Sequence, residues 1–94
     1  MLKLSILKTS RFKKSFKRVS EWSKFNQKAF EKVVGDLANL KKLEEKYKDH
    51  KLTGELKYFR ECHIQPDLLL IYQIKRDELI LILIDTGSHS DLFK

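Results

Sequence analysis

Residues 68–84 read LLLIYQIKRDELILILI, and the architecture of the whole chain follows from this stretch. Two apolar runs, residues 68–74 and 79–84, flank the four charged residues KRDE at 75–78. Both runs are apolar at successive positions, which is typical of strands in the middle of a covered sheet. Because the link between them is too short for a crossover connection, we expect an antiparallel pair.

The segments on either side of this pair extend the sheet. A third strand is expected over residues 58–64, because the Pro66-Asp67 pair that follows makes a turn towards residue 68. Near the N-terminus, three apolar residues alternate with polar ones at the period of a half-buried strand: Leu2, Leu4 and Ile6.

Two helices are expected between the first strand and the others. Thr9 or Ser10 can cap the first helix, whose apolar residues recur at helical spacing: Phe12, Phe16 and Val19. After a break at residues 20–26, a second helix that includes Gly35 has one apolar face: Phe30, Val33, Val34, Leu37 and Ala38. Residues 41–57 are expected to form a long loop. The order β-α-α-β-β-β predicts a single α+β domain over residues 1–94, with an antiparallel sheet packed against two N-terminal helices.

Composition indicates one globular domain and excludes several classes of protein. A hydrophobic fraction of 41% argues against disorder, and 94 residues suffice for one core. The longest apolar run, residues 79–84, is far shorter than the ~20 residues that span a bilayer. Lys3 and Lys8 interrupt the first apolar stretch, unlike a signal peptide, and the single cysteine, Cys62, excludes an internal disulfide. We therefore expect a cytoplasmic protein without membrane contact.

The net charge of +7 is concentrated in the first third of the chain. Residues 1–32 hold ten Lys or Arg against two Glu, whereas residues 33–94 hold ten basic and eleven acidic residues. A basic block of this kind favours a polyanion, because neutralising phosphates releases counterions. The alternative is a solvated helix face that keeps the protein soluble.

Three histidines and two carboxylates are the candidate catalytic groups. Glu61 and His63 are two apart on a predicted strand and share a face. Asp67 follows in the turn, while His50 and His89 come from loops. Imidazole, with an ordinary pKa of ~6.5, can both accept and donate protons near neutrality. If these groups converge, they suit metal-free RNA cleavage, in which a ribose 2′-hydroxyl attacks its own phosphate.

The remaining candidates have both functional and structural interpretations. Arg60 and nearby lysines such as Lys48 can hold the charge that builds on a phosphate, or they are plain surface charges. Any one histidine can be a hydrogen-bonded structural residue, and Phe93 can be a core anchor. Three histidines with carboxylates can also bind zinc, but no HExxH or paired-cysteine spacing supports this, so we expect no metal and no cofactor.

Three segments of the C-terminal half form a recognisable set: YKDHKLTG from residue 47, FRECHIQPDLLLIY from residue 59 and TGSHSDLF from residue 86. This set resembles the YafQ-type toxins of the RelE/ParE superfamily. The resemblance covers residues 47–93 and is specific, because several unrelated residue types recur together at matched spacing. The N-terminal half resembles the family only in its strand-helix-helix pattern and its basic character.

The resemblance implies a toxin of a type II toxin-antitoxin system. Such toxins pair with an antitoxin from the same operon and are endoribonucleases that cut mRNA, typically in the ribosomal A site. The expected partners are therefore a cognate antitoxin, mRNA and ribosomal RNA. The family's active-site positions fall on six residues, with His89 as the leading proton-transfer group and Phe93 against a base: His50, Glu61, His63, Asp67, His89 and Phe93.

One departure and two alternatives remain open. Many relatives carry an Arg just before the Gly-Ser/Thr-His motif, where this chain has Asp85. Either the loss of this cation weakens stabilisation of the phosphoryl transition state, or Arg60 replaces it. We hypothesise that the basic first third docks on ribosomal RNA through Lys13, Lys14 and Lys17. The alternatives are a non-catalytic RNA-binding domain and a ParE-like gyrase-inhibiting toxin of the same fold, although the latter lacks the histidine set.

Overall fold

The computed structural model describes residues 3–93. Its strands are β1 (Ser5–Lys8), β2 (His50–Lys51), β3 (Arg60–Gln65), β4 (Leu68–Lys75) and β5 (Ile80–Gly87). Its helices are α1 (Ser10–Val19), α2 (Gln27–Ala38) and the single turn α3 (His89–Leu92). The segment between α2 and β3 also contains two 3₁₀ turns, Glu45–Tyr47 and Gly54–Leu56. None of the described helices has the length and apolar character needed to cross a membrane.

The strands form one sheet in the order β1-β5-β4-β3-β2. The predicted α+β class and the central antiparallel pair are confirmed, since β4 is antiparallel to both β3 and β5. The sheet is mixed rather than purely antiparallel, because β1 pairs with β5 in parallel. It also gains a fifth strand, because two residues of the predicted loop, His50 and Lys51, pair with β3.

Side-chain caps and apolar faces explain the two long helices. The Thr9 hydroxyl oxygen accepts a hydrogen bond from the Phe12 N–H at 3.0 Å and donates to the Ile84 carbonyl at 2.8 Å. It therefore both starts α1 and ties it to β5. Asn26 caps α2 in the same way through the Ala29 N–H. The buried faces of both helices pack on one side of the sheet and form the core: Phe12, Val19, Phe30, Val33, Leu37, Cys62, Leu70, Tyr72, Leu81 and Leu83.

The first strand differs from its predicted pattern. Leu4 is buried, but Ile6 is 43% exposed and Leu7 is 53% exposed, because β1 is the outer strand of the sheet. Leu2 lies outside the described residues. Leu69 and Ile71 of β4 are also buried, yet they are not part of the helix-side core and belong to the other face of the sheet. That second face carries the candidate site.

A candidate acid-base site on the face opposite the helices

Strand pairing aligns three residues across β2, β3 and β4: His50, Glu61 and Ile71. Residues directly opposite one another in paired strands project from the same face. His63 lies two residues after Glu61 in β3, so it is on the same face. It pairs with Leu69, which in turn pairs with Gly87. We call this side, with His50, Glu61 and His63, the histidine face. The prediction that Glu61 and His63 share a face is confirmed.

The carboxylate of Glu61 lies between two imidazoles. Its Oε1 atom is 3.7 Å from Nε2 of His50 and 3.6 Å from Nε2 of His63. The Glu61 side chain is only 8% exposed, whereas those of His50 and His63 are 52% and 27% exposed. A buried carboxylate is costly without polar partners, and the two imidazole rings provide them here. The site thus holds two imidazoles that solvent or a substrate can reach, with a nearly buried carboxylate between them.

A sharp turn orients the His50 ring. Lys48 adopts a left-handed conformation with φ of 49°, and its carbonyl oxygen lies 2.7 Å from Nδ1 of His50. A carbonyl can only accept, so Nδ1 carries the proton of this hydrogen bond. In the neutral ring, Nε2 is then the basic atom, and it faces Glu61. The turn therefore presents one defined nitrogen of His50 to the site.

His89 and Phe93 form a second pair at the end of β5. Their rings meet edge to face with centroids 5.2 Å apart. Ser88 and Asp91 cap α3 reciprocally, each side chain accepting from the other's backbone N–H. Gly87 permits this close approach, because a Cβ there would lie 3.0 Å from the Asp91 side chain.

Strand register relates this second pair to the first. Gly87 and His63 are both opposite Leu69, so their backbones are about two strand spacings, roughly 10 Å, apart. His50, Glu61 and His63 are thus brought into contact, and the turn that carries His89 and Phe93 begins directly after Gly87.

Two predicted residues lie away from this group. Asp67 occupies the exposed turn between β3 and β4, beside a cavity of about 470 Å³ that Trp22, Ser23 and Lys24 also line. Arg60 points to the helix side, where its Nε donates to Asp49 at 3.2 Å. The Tyr72 hydroxyl donates to the same Asp49 oxygen, and burial together with this bond raises the pKa of Tyr72 above its ordinary value.

Two arginines of α1, and not Arg60, are the cations that lie near the end of β5. Asp85 accepts from the Ser15 hydroxyl at 2.6 Å and from the Thr86 N–H at 2.9 Å. Its other oxygen lies 3.8 Å from Nε of Arg11, whose side chain is 79% exposed. Two turns along the helix, Arg18 lies 3.7 Å from Asp91. Sequence reasoning missed both arginines, although their spacing of seven places them on one side of a helix.

The described residues offer no ready metal centre. Within residues 3–93, no group of three or more His, Cys, Asp or Glu side chains is arranged to hold a metal ion. Cys62 adjoins Glu61 in sequence but lies in the helix-side core, where burial raises the pKa of its thiol. Since the thiolate is the form that attacks electrophiles and binds metals, Cys62 is a packing residue.

The sequence matches one protein family over nearly its whole length. A family model described as the bacterial toxin of type II toxin-antitoxin systems, YafQ, matches residues 4–94. The mRNA interferase toxin YafQ of Escherichia coli K12 is 43% identical over 47 residues, which make up 50% of this chain and 49% of that protein. The alignments span about half or less of the curated relatives' length.

Solved structures match over nearly the whole chain. A metal-bound toxin from Helicobacter pylori has a TM-score of 0.87 and 51% identity, covering 96% of this chain and 99% of that one. A chain of the E. coli DinJ-YafQ complex has a TM-score of 0.84 and 28% identity, covering 97% of this chain and 99% of that one.

Proposed function

We propose that this chain, which belongs to the YafQ family of bacterial toxins from type II toxin-antitoxin systems, cleaves messenger RNA without a metal ion. The observation that carries the proposal is the carboxylate of Glu61, nearly buried between the Nε2 atoms of His50 and His63. Imidazoles held by a carboxylate can take up and release protons near neutral pH, which RNA cleavage requires at two positions.

The proposed reaction is an internal transesterification. One group removes the proton of a ribose 2′-hydroxyl, whose oxygen attacks the adjacent phosphorus. The bond from phosphorus to the 5′-oxygen breaks, and a second group gives that oxygen a proton. The products are a 2′,3′-cyclic phosphate and a 5′-hydroxyl, with no net change in protons. Because every proton taken up is returned, two titratable side chains suffice.

Five residues of the site share these roles. His89 is the leading proton-transfer group, and His50 and His63 supply the second proton transfer and positioning, with Glu61 stabilising the imidazolium form. The Phe93 ring, packed edge to face on His89, supports a substrate base, an interaction worth ~1–3 kcal/mol where it occurs.

Further side chains are needed to stabilise the negative charge that builds on the phosphate and to bind the rest of the RNA. Arg11 is exposed and lies beside Asp85, the position where many relatives carry an Arg, so we assign phosphate stabilisation to it. We also propose that Asp67, which lies in the exposed turn after β3 and away from the imidazoles, positions the RNA. Lys48 shapes the His50 turn, and its exposed ammonium group can contact the backbone of the RNA.

The partners follow from the family. One similar structure is a complex of DinJ with YafQ, and we propose that this chain likewise pairs with an antitoxin. We further propose that cutting is ribosome-dependent. Lys13, Lys14 and Lys17 are exposed along α1 and would dock on ribosomal RNA, because densely charged RNA attracts clustered cations.

Induction in bacteria combined with primer extension tests the proposal. Expression of the chain should arrest growth and produce discrete mRNA cuts, and co-expression of the neighbouring antitoxin gene should reverse both. His50→Ala, His63→Ala and His89→Ala should each lower cutting by about 10²–10⁴-fold, the usual contribution of a general acid or base. Lys28→Ala, an exposed change on α2, is the matched control and should cut like the wild type.

Three results would redirect the assignment. Growth arrest that all three histidine variants retain would indicate a target other than mRNA, as in gyrase inhibition. RNA binding without any cutting by the wild type would indicate a non-catalytic domain. Cutting that stops in EDTA and returns with zinc would replace the metal-free mechanism.

A further inference from the structure

A second cavity lies on the helix side of the sheet, behind the edge formed by β2 and β3. Its volume is about 590 Å³, within the usual range for ligand sites. We call it the basic pocket, because six cationic side chains line it: Lys41, Lys42, Lys51, Lys57, Arg60 and Arg76. Asp49 supplies the one carboxylate among the lining residues, so the balance is +5.

The carboxylate of Asp49 does not neutralise the pocket. Its Oδ1 atom accepts hydrogen bonds from Arg60 and Tyr72, so it is already committed to holding these two side chains in place. In the described part of the chain, the other five cations form no ion pair within 4.0 Å. All five are exposed. The pocket therefore presents five exposed cations around one guanidinium that Asp49 holds in place.

An aromatic side chain completes the pocket. Tyr58 is 69% exposed, an unusual position for a large ring, and the ammonium of Lys57 lies 5.3 Å from its centroid. A groove of cations beside an exposed aromatic ring is the combination by which proteins bind single-stranded nucleic acid, the cations holding phosphates and the ring stacking on a base. An acidic peptide would use the cations but would have no need of the ring.

We propose that the basic pocket binds single-stranded RNA next to the segment that occupies the histidine face. This inference rests on the proposed function. His50 and Lys51 are neighbours in β2, as are Arg60 and Glu61 in β3, and successive side chains of a strand point to opposite faces. The two-residue strand β2 is the outer edge of the sheet, so a strand of RNA that passes over it meets the pocket on one side and the histidines on the other.

The pocket can be tested independently of catalysis by measuring the binding of an RNA that cannot be cut. The probe is a fluorescein-labelled 12-nucleotide 2′-O-methyl oligouridylate, whose blocked 2′-oxygens prevent transesterification, and anisotropy gives its Kd at several salt concentrations. Lys41→Gln/Lys57→Gln/Arg76→Gln removes three cations from separate segments of the pocket. We expect Kd to rise at least 10-fold and the salt slope to fall by about 2, at ~0.7 per phosphate contact.

The matched control removes the same charge elsewhere. Lys3→Gln/Lys24→Gln/Lys28→Gln changes three exposed lysines that do not line the pocket and should raise Kd less than 3-fold. Tyr58→Ala should weaken binding about 5- to 100-fold through loss of stacking. Equal effects of the two triple variants, with matching thermal midpoints, would overturn the proposal.

Two further measurements identify the ligand and the link to cleavage. The first measurement uses a 12-residue glutamate-rich peptide. If this peptide binds as tightly as the RNA, binds weakly to the pocket variant and binds equally well to Tyr58→Ala, the ligand of the pocket is an acidic protein segment and not RNA. If the chain cuts RNA, the pocket variant should raise KM for a 12-nucleotide substrate and leave a 4-nucleotide substrate unchanged. Oligonucleotide binding at the pocket by a wild type that does not cut would reject the proposed function while supporting the pocket.

Discussion

The helical segment, residues 3–38, and the strand-rich segment, residues 50–93, contribute differently to this protein. The first holds most of the excess positive charge, on exposed side chains of α1 such as Lys13 and Lys17. The second holds the Glu61 carboxylate and its two imidazoles, whose separation is set by strand register. Long-range attraction tolerates a change in where a charge sits, whereas proton transfer requires groups held within a fraction of an ångström. The motifs quoted from the sequence begin at residue 47 and fall almost entirely in the second segment, whereas the family model matches residues 4–94.

The two segments are joined at the end of β5. The Thr9 hydroxyl donates to the Ile84 carbonyl, and the Ser15 hydroxyl donates to the Asp85 carboxylate at 2.6 Å. Arg18 of α1 lies near Asp91 of α3. Helix α1, which carries the positive charge, is thus bonded directly to β5, the strand that leads to His89. Variants can separate the contribution of these bonds to stability from the proposed docking of α1 on ribosomal RNA.

Reversing the charge of α1 should separate recruitment from chemistry. Lys13→Glu/Lys14→Glu/Lys17→Glu should lower ribosome-dependent cutting more than 100-fold, because repulsion replaces attraction to phosphates. Since all three side chains are exposed, the unfolding midpoint and the cutting of a short free RNA should stay near wild-type values. Primer extension in a translation extract measures the first effect. An equal loss in Lys3→Glu/Lys24→Glu/Lys28→Glu would show that total charge, and not α1, recruits the protein.

Breaking the attachment should lower stability without touching the histidines. Asp85→Ala leaves the Ser15 hydroxyl and the Thr86 N–H without their acceptor, which costs about 1–3 kcal/mol for buried polar groups. Asp85→Asn keeps an acceptor oxygen and should cost less. Urea unfolding of Asp85→Ala, Ser15→Ala and the double variant gives the coupling energy. Strictly additive effects would contradict a bond between α1 and β5 that matters for folding.

Much of the fold was predictable because local patterns were strong. The continuous apolar runs around Leu70 and Leu81 identify central strands whatever face they present, and the Thr9 cap marks the start of α1. Strand β5 extends to Gly87, beyond the predicted residue 84, since polar residues there are held by tertiary bonds. Ser15 binds Asp85, and the Leu69 carbonyl accepts from the Thr86 hydroxyl. No local pattern reports such long-range partners.

The candidate site was only partly predictable. Because side chains alternate between the two faces of a strand, the sequence correctly placed Glu61 and His63 on one face. The same alternation places Arg60 and Cys62 on the helix side, away from the histidines. The contact of His50 with Glu61 depends on β2, a strand of two residues within a polar segment. Two residues carry no detectable period, so the sequence offered His50 only as a loop histidine, and the resemblance alone gave it an active-site position.

Cys62 provides the finest test, because it lies where the helical layer packs on the strands. Burial, with smaller contributions from the carboxylates of Asp49 and Glu61, raises the pKa of its thiol. The native state therefore keeps the proton, while the unfolded chain loses it above an ordinary pKa of about 8.5. Since the unfolded state then binds fewer protons, stability is complete below that pH and falls as pH rises.

The expected loss from this thiol is about 1 kcal/mol between pH 8 and pH 9.5, at ~1.4 kcal/mol per pH unit once the unfolded thiol is ionised. Urea unfolding across this range measures it, below the pH at which an unfolded tyrosine such as Tyr72 ionises. Cys62→Ala should be less stable at every pH but should lose this part of the slope. The same slope in both proteins would mean that the thiol is solvated in the native state, and that the two layers pack more loosely at this point than a fully buried Cys62 requires.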